Sequence, residues 1–116
     1  RPASGRADGL HRAGTAPACM SVLSWADTHI CAAHKGDDGV MQGHTWRVRA
    51  SWDYAGQSAV DLKDRLERCS RELDHRVLAH ELRRAEQLAG YIGRVTEAVR
   101  VDVWREPEGM GATWTP

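Results

Sequence analysis

The chain has 116 residues, sixteen basic and sixteen acidic, and a formal net charge of zero. That length allows one small domain with a modest core, and the interspersed charges leave no basic stripe for nucleic acid or an anionic membrane. No apolar run approaches membrane-spanning length, and three cysteines without CxxC spacing (Cys19, Cys31 and Cys69) make no disulfide framework, so a reducing, cytoplasmic setting is expected.

Residues 1–19 carry Arg, Ala, Gly and Pro without periodicity, and lack the charged start and apolar core of a secretory signal. They are expected to be a disordered leader, with Met20 the natural start of a domain over 20–116. The alternative is a first strand from Cys19 to Ser24. Ser21 to His34 reads as a strand, with a bend near Asp27. Gly36, Asp37, Asp38 and Gly39 mark a loop spanning Lys35 to Met41. His44 to Tyr54 is the cleanest strand: Trp46, Val48, Ala50, Trp52 and Tyr54 alternate with polar residues, and Gly56 closes it. Counting by two, His34 is in phase with Ile30 and Ala32, and His44 with Trp46 and Val48. If the two strands pair as a hairpin, the histidines meet near its loop. Neutral imidazole suits zinc, so the pair is a candidate metal site; the alternative is two half-buried polar residues beside a turn.

Ser58 to Leu73 predicts a helix, with Ser58 as N-cap, Asp61 near the positive end, and Leu62, Leu66, Cys69 and Leu73 as its apolar stripe. Cys69 in that stripe reads as a small core residue. A second helix is expected over Glu81 to Gly93, with Gly93 as its stop. Ala98 to Glu106 alternates again, Pro107, Gly109 and Gly111 make a turn, and Ala112 to Thr115 forms a last short strand. The order is strand, strand, helix, helix, strand, strand. It predicts an α+β domain with both helices on one face of an antiparallel sheet.

Four separated motifs carry a resemblance: ICAAH at 30–34, QGHTW at 42–46, LDHRVL at 73–78 and AEQLA at 85–89. In order and spacing they resemble the 6-pyruvoyl and 6-carboxytetrahydropterin synthases, and WREP at 104–107 with Ala112 and Trp114 resembles that family's closing segment. The resemblance covers Ser21 to Trp114. It implies the tunnelling fold, whose subunits join edge to edge into homo-oligomeric barrels, trimers or hexamers, and so remove open sheet edges. It implies active sites between subunits, and a lyase acting on 7,8-dihydroneopterin triphosphate in queuosine or tetrahydropterin biosynthesis. It also implies zinc held by three histidines.

Carried over residue by residue, the resemblance puts His34 at the first zinc ligand, Gln42 at the second and His44 at the third. Gln42 departs from the family, and an amide oxygen is a poorer zinc ligand than imidazole. His29 could replace it only if its strand bends. The family's loop cysteine is missing; Asp38 stands at about its place as a substitute base, although Asp37 and Asp38 also read as ordinary turn residues. Asp74 and His75 match the family's proton-relaying pair, and imidazole titrates near neutrality. Glu106 matches the glutamate that grips the pterin ring, since a carboxylate accepts two parallel hydrogen bonds from an amino-pyrimidine edge. Glu86 opens the second helix with its role left open. Lys35, Arg47 and Arg49 are candidates for the triphosphate. The rival readings are a degenerate member that binds pterin or assembles without catalysis, another enzyme on this fold, and a protein in which the Trp residues serve only packing.

Overall fold

The computed structural model describes residues 22–54 and 58–116, apart from the His80 side chain. The expected leader, the start at Met20, the Cys19–Ser24 alternative, Ser21 and the strand stop at Gly56 lie outside the described residues. Two long strands, β1 (Leu23–Lys35) and β2 (Met41–Asp53), pair antiparallel without interruption from Leu23↔Asp53 to Lys35↔Met41. No bend occurs at Asp27, which pairs with Arg49 in register. The turn between the strands is closed by Gly36 N–H on Val40 carbonyl at 2.9 Å, with Gly39 at a φ of 82° that a side chain would resist.

The next element is α1 (Ala59–Leu73), capped by Ser58, whose hydroxyl accepts the Asp61 N–H at 3.1 Å. A single 3-10 turn (His80–Leu82) precedes α2 (Ala85–Thr96). The last strands are β3 (Arg100–Arg105) and β4 (Met110–Trp114), giving one sheet in the order β1-β2-β3-β4, antiparallel throughout. The architecture is the α+β arrangement expected from the element order. The second helix differs in its bounds. It starts at Ala85, after Arg83 and Arg84, and continues past Gly93 to a left-handed residue, Glu97 (φ 60°). Gly93 is not a helix stop: it is buried in the helix against the Trp114 ring, where a Cβ would enter the indole.

Strand alternation puts Ala26, Ile30, Ala32, Trp46, Val48, Ala50, Val101 and Val103 on one face, beneath the stripes Leu62–Leu66–Leu73 and Leu88–Ile92 of the helices. Each large side chain buried there contributes roughly 1.5–3 kcal/mol. Trp52 satisfies its indole N–H on the Thr96 carbonyl at 3.0 Å. Cys69 belongs to this core, and burial pushes its thiol up to about 11, so it is a packing residue. The opposite face is polar. It carries the Asp27–Arg49 pair, with Arg49 stacked 3.8 Å over Trp25, and the Arg100–Asp102 pair.

The edge of β1 is partly covered by the segment after α1. Ala33 donates to the Arg76 carbonyl (3.0 Å), Leu78 donates to the Ala33 carbonyl (2.7 Å), and Ala33 and Val77 form a parallel bridge. Among the described residues nothing pairs with the outer edge of β4. The α2–β4 contact gives a test. Alanine in place of a helical glycine gains about 1 kcal/mol of propensity, while overpacking costs about 1–3 kcal/mol. Gly93→Ala is therefore expected to lower stability by about 1 kcal/mol in urea denaturation, and to raise it instead in a Trp114→Leu background. A gain in the wild-type background would show that Trp114 does not pack on Gly93.

Candidate functional site

The hairpin register decides which side chains meet. Cross-strand partners share a face, so Ala32↔His44 and His34↔Gln42 place His34, Gln42 and His44 on the core face at its loop end. The two imidazole centroids lie 5.0 Å apart, and His44 meets Trp46 edge-on at 5.2 Å. His29 pairs with Arg47 on the opposite face and cannot join them. Beside the histidines is a cavity of about 380 Å³ whose lining includes His34, Gln42, His44, Arg83, Arg84, Glu86 and Arg105. The arginines come from the turn before α2 and the end of β3, and Glu86 from the first turn of α2.

His34 is 9% exposed, and among the described residues its Nδ1 has no hydrogen-bond partner. Arg83 gives one terminal nitrogen to Asp37, and its buried Nε has no partner among the described residues. One terminal nitrogen of Arg105 lies 2.8 Å from Nδ1 and 2.9 Å from Nε2 of His44. A nitrogen equidistant from both lies over the ring rather than on one lone pair. Burial first, then Arg105 and His34, holds the His44 pKa below that of a free imidazole, so His44 is kept neutral.

A zinc ion held here would have two imidazoles and the Gln42 amide, with a guanidinium charge already against one of the imidazoles. Among the described residues no three His, Cys, Asp or Glu side chains converge. Structural sites use four Cys or His donors and catalytic sites three side-chain ligands, usually His with Glu or Cys. As arranged, this donor set does not fit a resident zinc, and no step below is routed through one.

The other expected site residues lie elsewhere. Asp38 accepts the Val40 N–H at 2.9 Å and thus acts as a turn residue. Glu106 is exposed in the β3–β4 turn and does not line the cavity; its neighbour Arg105 does. Arg47 and Arg49 lie on the polar face, Arg49 bound to Asp27. The sequence reading did not single out Arg83, Arg84 and Arg105. The signal was there: an Arg-Arg pair directly before a helix start, and a third arginine two residues after Val103 on the core-facing register.

Asp74 and His75 form a fixed pair at the end of α1. The Cys31 N–H donates to Asp74 Oδ1 at 2.7 Å, and Asp74 Oδ2 meets His75 Nδ1 at 2.9 Å. His75 adopts a φ of 58°, uncommon for a non-glycine residue, and its side chain is 80% exposed. The carboxylate thus orients the ring and leaves Nε2 free. His75 lines an open groove of about 480 Å³ with Cys31, Ala33, Gly43 and Thr45. The pair lies along the outer backbone edge of β1, and the groove also includes Ala32 and His44, the latter shared with the arginine-lined cavity.

The Cys31 N–H first, and His75 after it, hold the Asp74 carboxyl below its usual value of 3.8. Arg49 does the same for Asp27, and Lys63 for Glu67. A depressed carboxylate adds stability above its unfolded value, and that stability is lost as pH falls through the folded value. Urea midpoints should therefore fall with pH below about 4. Asp74→Asn should flatten that decline. A mutant with an unchanged acid slope would contradict the Asp74 assignment.

No family profile and no curated protein matches this chain. Among solved structures it is similar to the Caenorhabditis elegans 6-pyruvoyl tetrahydropterin synthase, with a TM-score of 0.62 and 15% identity over 83% of this chain and 96% of that one. No helix among the described residues is long and apolar enough to cross a membrane. At that identity the likeness establishes a shared fold, the four-stranded antiparallel sheet with two helices of the tunnelling fold.

Proposed function

We propose that this protein is a pterin-processing lyase acting on 7,8-dihydroneopterin triphosphate, in the manner of the 6-carboxytetrahydropterin synthases. The Asp74–His75 pair carries the reading. Its carboxylate is anchored by a backbone N–H, its imidazole is oriented through Nδ1, and a strained backbone holds it over a groove. That geometry suits general acid–base work at a carbon-bound proton, with Nε2 as the proton-carrying atom. The shared fold and the ordered motifs support the choice of substrate class.

His75 and the arginines line two different openings, with His44 in the wall of both, and among the described residues the outer edge of β4 is unpaired, an edge at which a second copy completes a site using both. We therefore propose a homo-oligomer closed through the unpaired sheet edges. Glu106, exposed near such an edge, is assigned to the pterin ring of a shared site. Asp38 is assigned no catalytic role. The second reading, a binder without turnover, is favoured by one observation: Gln42 stands opposite His34 where the family has a histidine.

Incubation with 7,8-dihydroneopterin triphosphate, with and without zinc, and mass spectrometry of the products is the test. A 6-carboxy or 6-pyruvoyl tetrahydropterin is expected, and His75→Ala is expected to slow its formation by about 10²–10⁴-fold. Bound but unconverted substrate would move the assignment to the binder, and neither binding nor conversion would end the pterin reading.

A further inference from the structure

We propose that the cavity beside His34 and His44 is a phosphoryl-anion site, in which Arg105 occupies the place against His44 that a metal cation would take. The inference deepens the reading above, and rests on it only for which molecule carries the phosphoryl group.

Three observations converge. First, the two buried side-chain nitrogens without a partner among the described residues, His34 Nδ1 and Arg83 Nε, belong to side chains lining this one cavity. Arg83 Nε can only donate, and His34 Nδ1 donates in one tautomer. A buried donor left unpaired costs roughly 1–3 kcal/mol, so the cavity is built for an acceptor. Second, Arg83, Arg84 and Arg105 all line it, against one carboxylate, Glu86. Guanidinium forks match phosphate oxygens two at a time. Asp37 and Glu108 pair with Arg83 and Arg105 from outside the lining, at 78% and 44% side-chain exposure, where solvent screens them. Third, the cavity lies at the start of α2, a twelve-residue helix, with Ala85 and Glu86 in its wall. The positive end of a helix dipole and its first N–H groups favour an anion there.

A metal cation would meet the reverse conditions. It would face three arginines with two imidazoles and one amide, and Arg105 lies over the His44 ring.

The test is calorimetric titration of the full chain with inorganic pyrophosphate and, separately, with zinc alone. Saturable pyrophosphate binding is expected. It should weaken about tenfold or more in Arg84→Ala and in Arg105→Leu, tighten in Glu86→Gln, and be unchanged in Arg100→Ala on the opposite face. Circular dichroism of each variant verifies its fold, and the wild-type titrations decide the matter if one misfolds. Absence of pyrophosphate binding, or binding indifferent to Arg84, Arg105 and Glu86, would overturn the proposal. So would one equivalent of zinc lost in His34→Ala. Turnover of the pterin substrate without pyrophosphate binding would remove this site and keep the lyase; pyrophosphate binding without turnover would do the opposite.

Discussion

The pairing of Ala32 with His44 and of His34 with Gln42 sets what this molecule can do. Side chains alternate along a strand with a period of two, so one residue of slip in β2 would send His44 to the polar face, away from His34, and turn the Trp46–Val48 row away from the helices. The core therefore locks the register that assembles the cavity wall. The same pairing fixes where Cys31 presents its N–H to Asp74, and where Ala33 receives the chain after α1. Core packing and the two halves of the site share one constraint.

A second consequence of alternation is the sign of charge in the cavity. Val101 and Val103 face the core, so the next inward position is Arg105, and Glu106 falls in the turn. A cavity with a carboxylate there would favour cations and amino-pyrimidine edges. With arginine it favours oxyanions, and with Arg83 and Arg84 contributing from the start of α2, the lining is predominantly basic. His44 kept neutral by burial and by Arg105 fits that environment.

Much of the fold was legible in the sequence because it follows from periodicity. The alternation through Trp46, Val48, Ala50 and Trp52 gave β2, and Ser58 with the Leu62–Leu66–Leu73 stripe gave α1 and its cap. The meeting of His34 and His44 followed from phase and a short loop. The start of α2 was missed because Glu81 and Leu82 continue an apparent helical pattern that a 3-10 turn interrupts, and its end because Gly93 looks like punctuation when it is a packing contact for Trp114. Arg83 and Arg84 were not singled out for a related reason: their place in the cavity wall follows from a helix that starts at Ala85 and not at Glu81. The placement of Asp74–His75 along the outer edge of β1, against Cys31, is tertiary information, and no local pattern encodes it.

The proposed function makes the subunit arrangement the central claim: the imidazole of one copy is proposed to meet the basic cavity of another. Complementation tests it most directly. His75→Ala and Arg84→Ala variants, each impaired alone on 7,8-dihydroneopterin triphosphate, are unfolded together, refolded as mixed oligomers and assayed at substrate concentrations that expose both defects. Recovered activity is the expected result, because some sites then combine an intact His75 with an intact Arg84. Mixed oligomers no more active than the average of the two parents would contradict a site shared between copies.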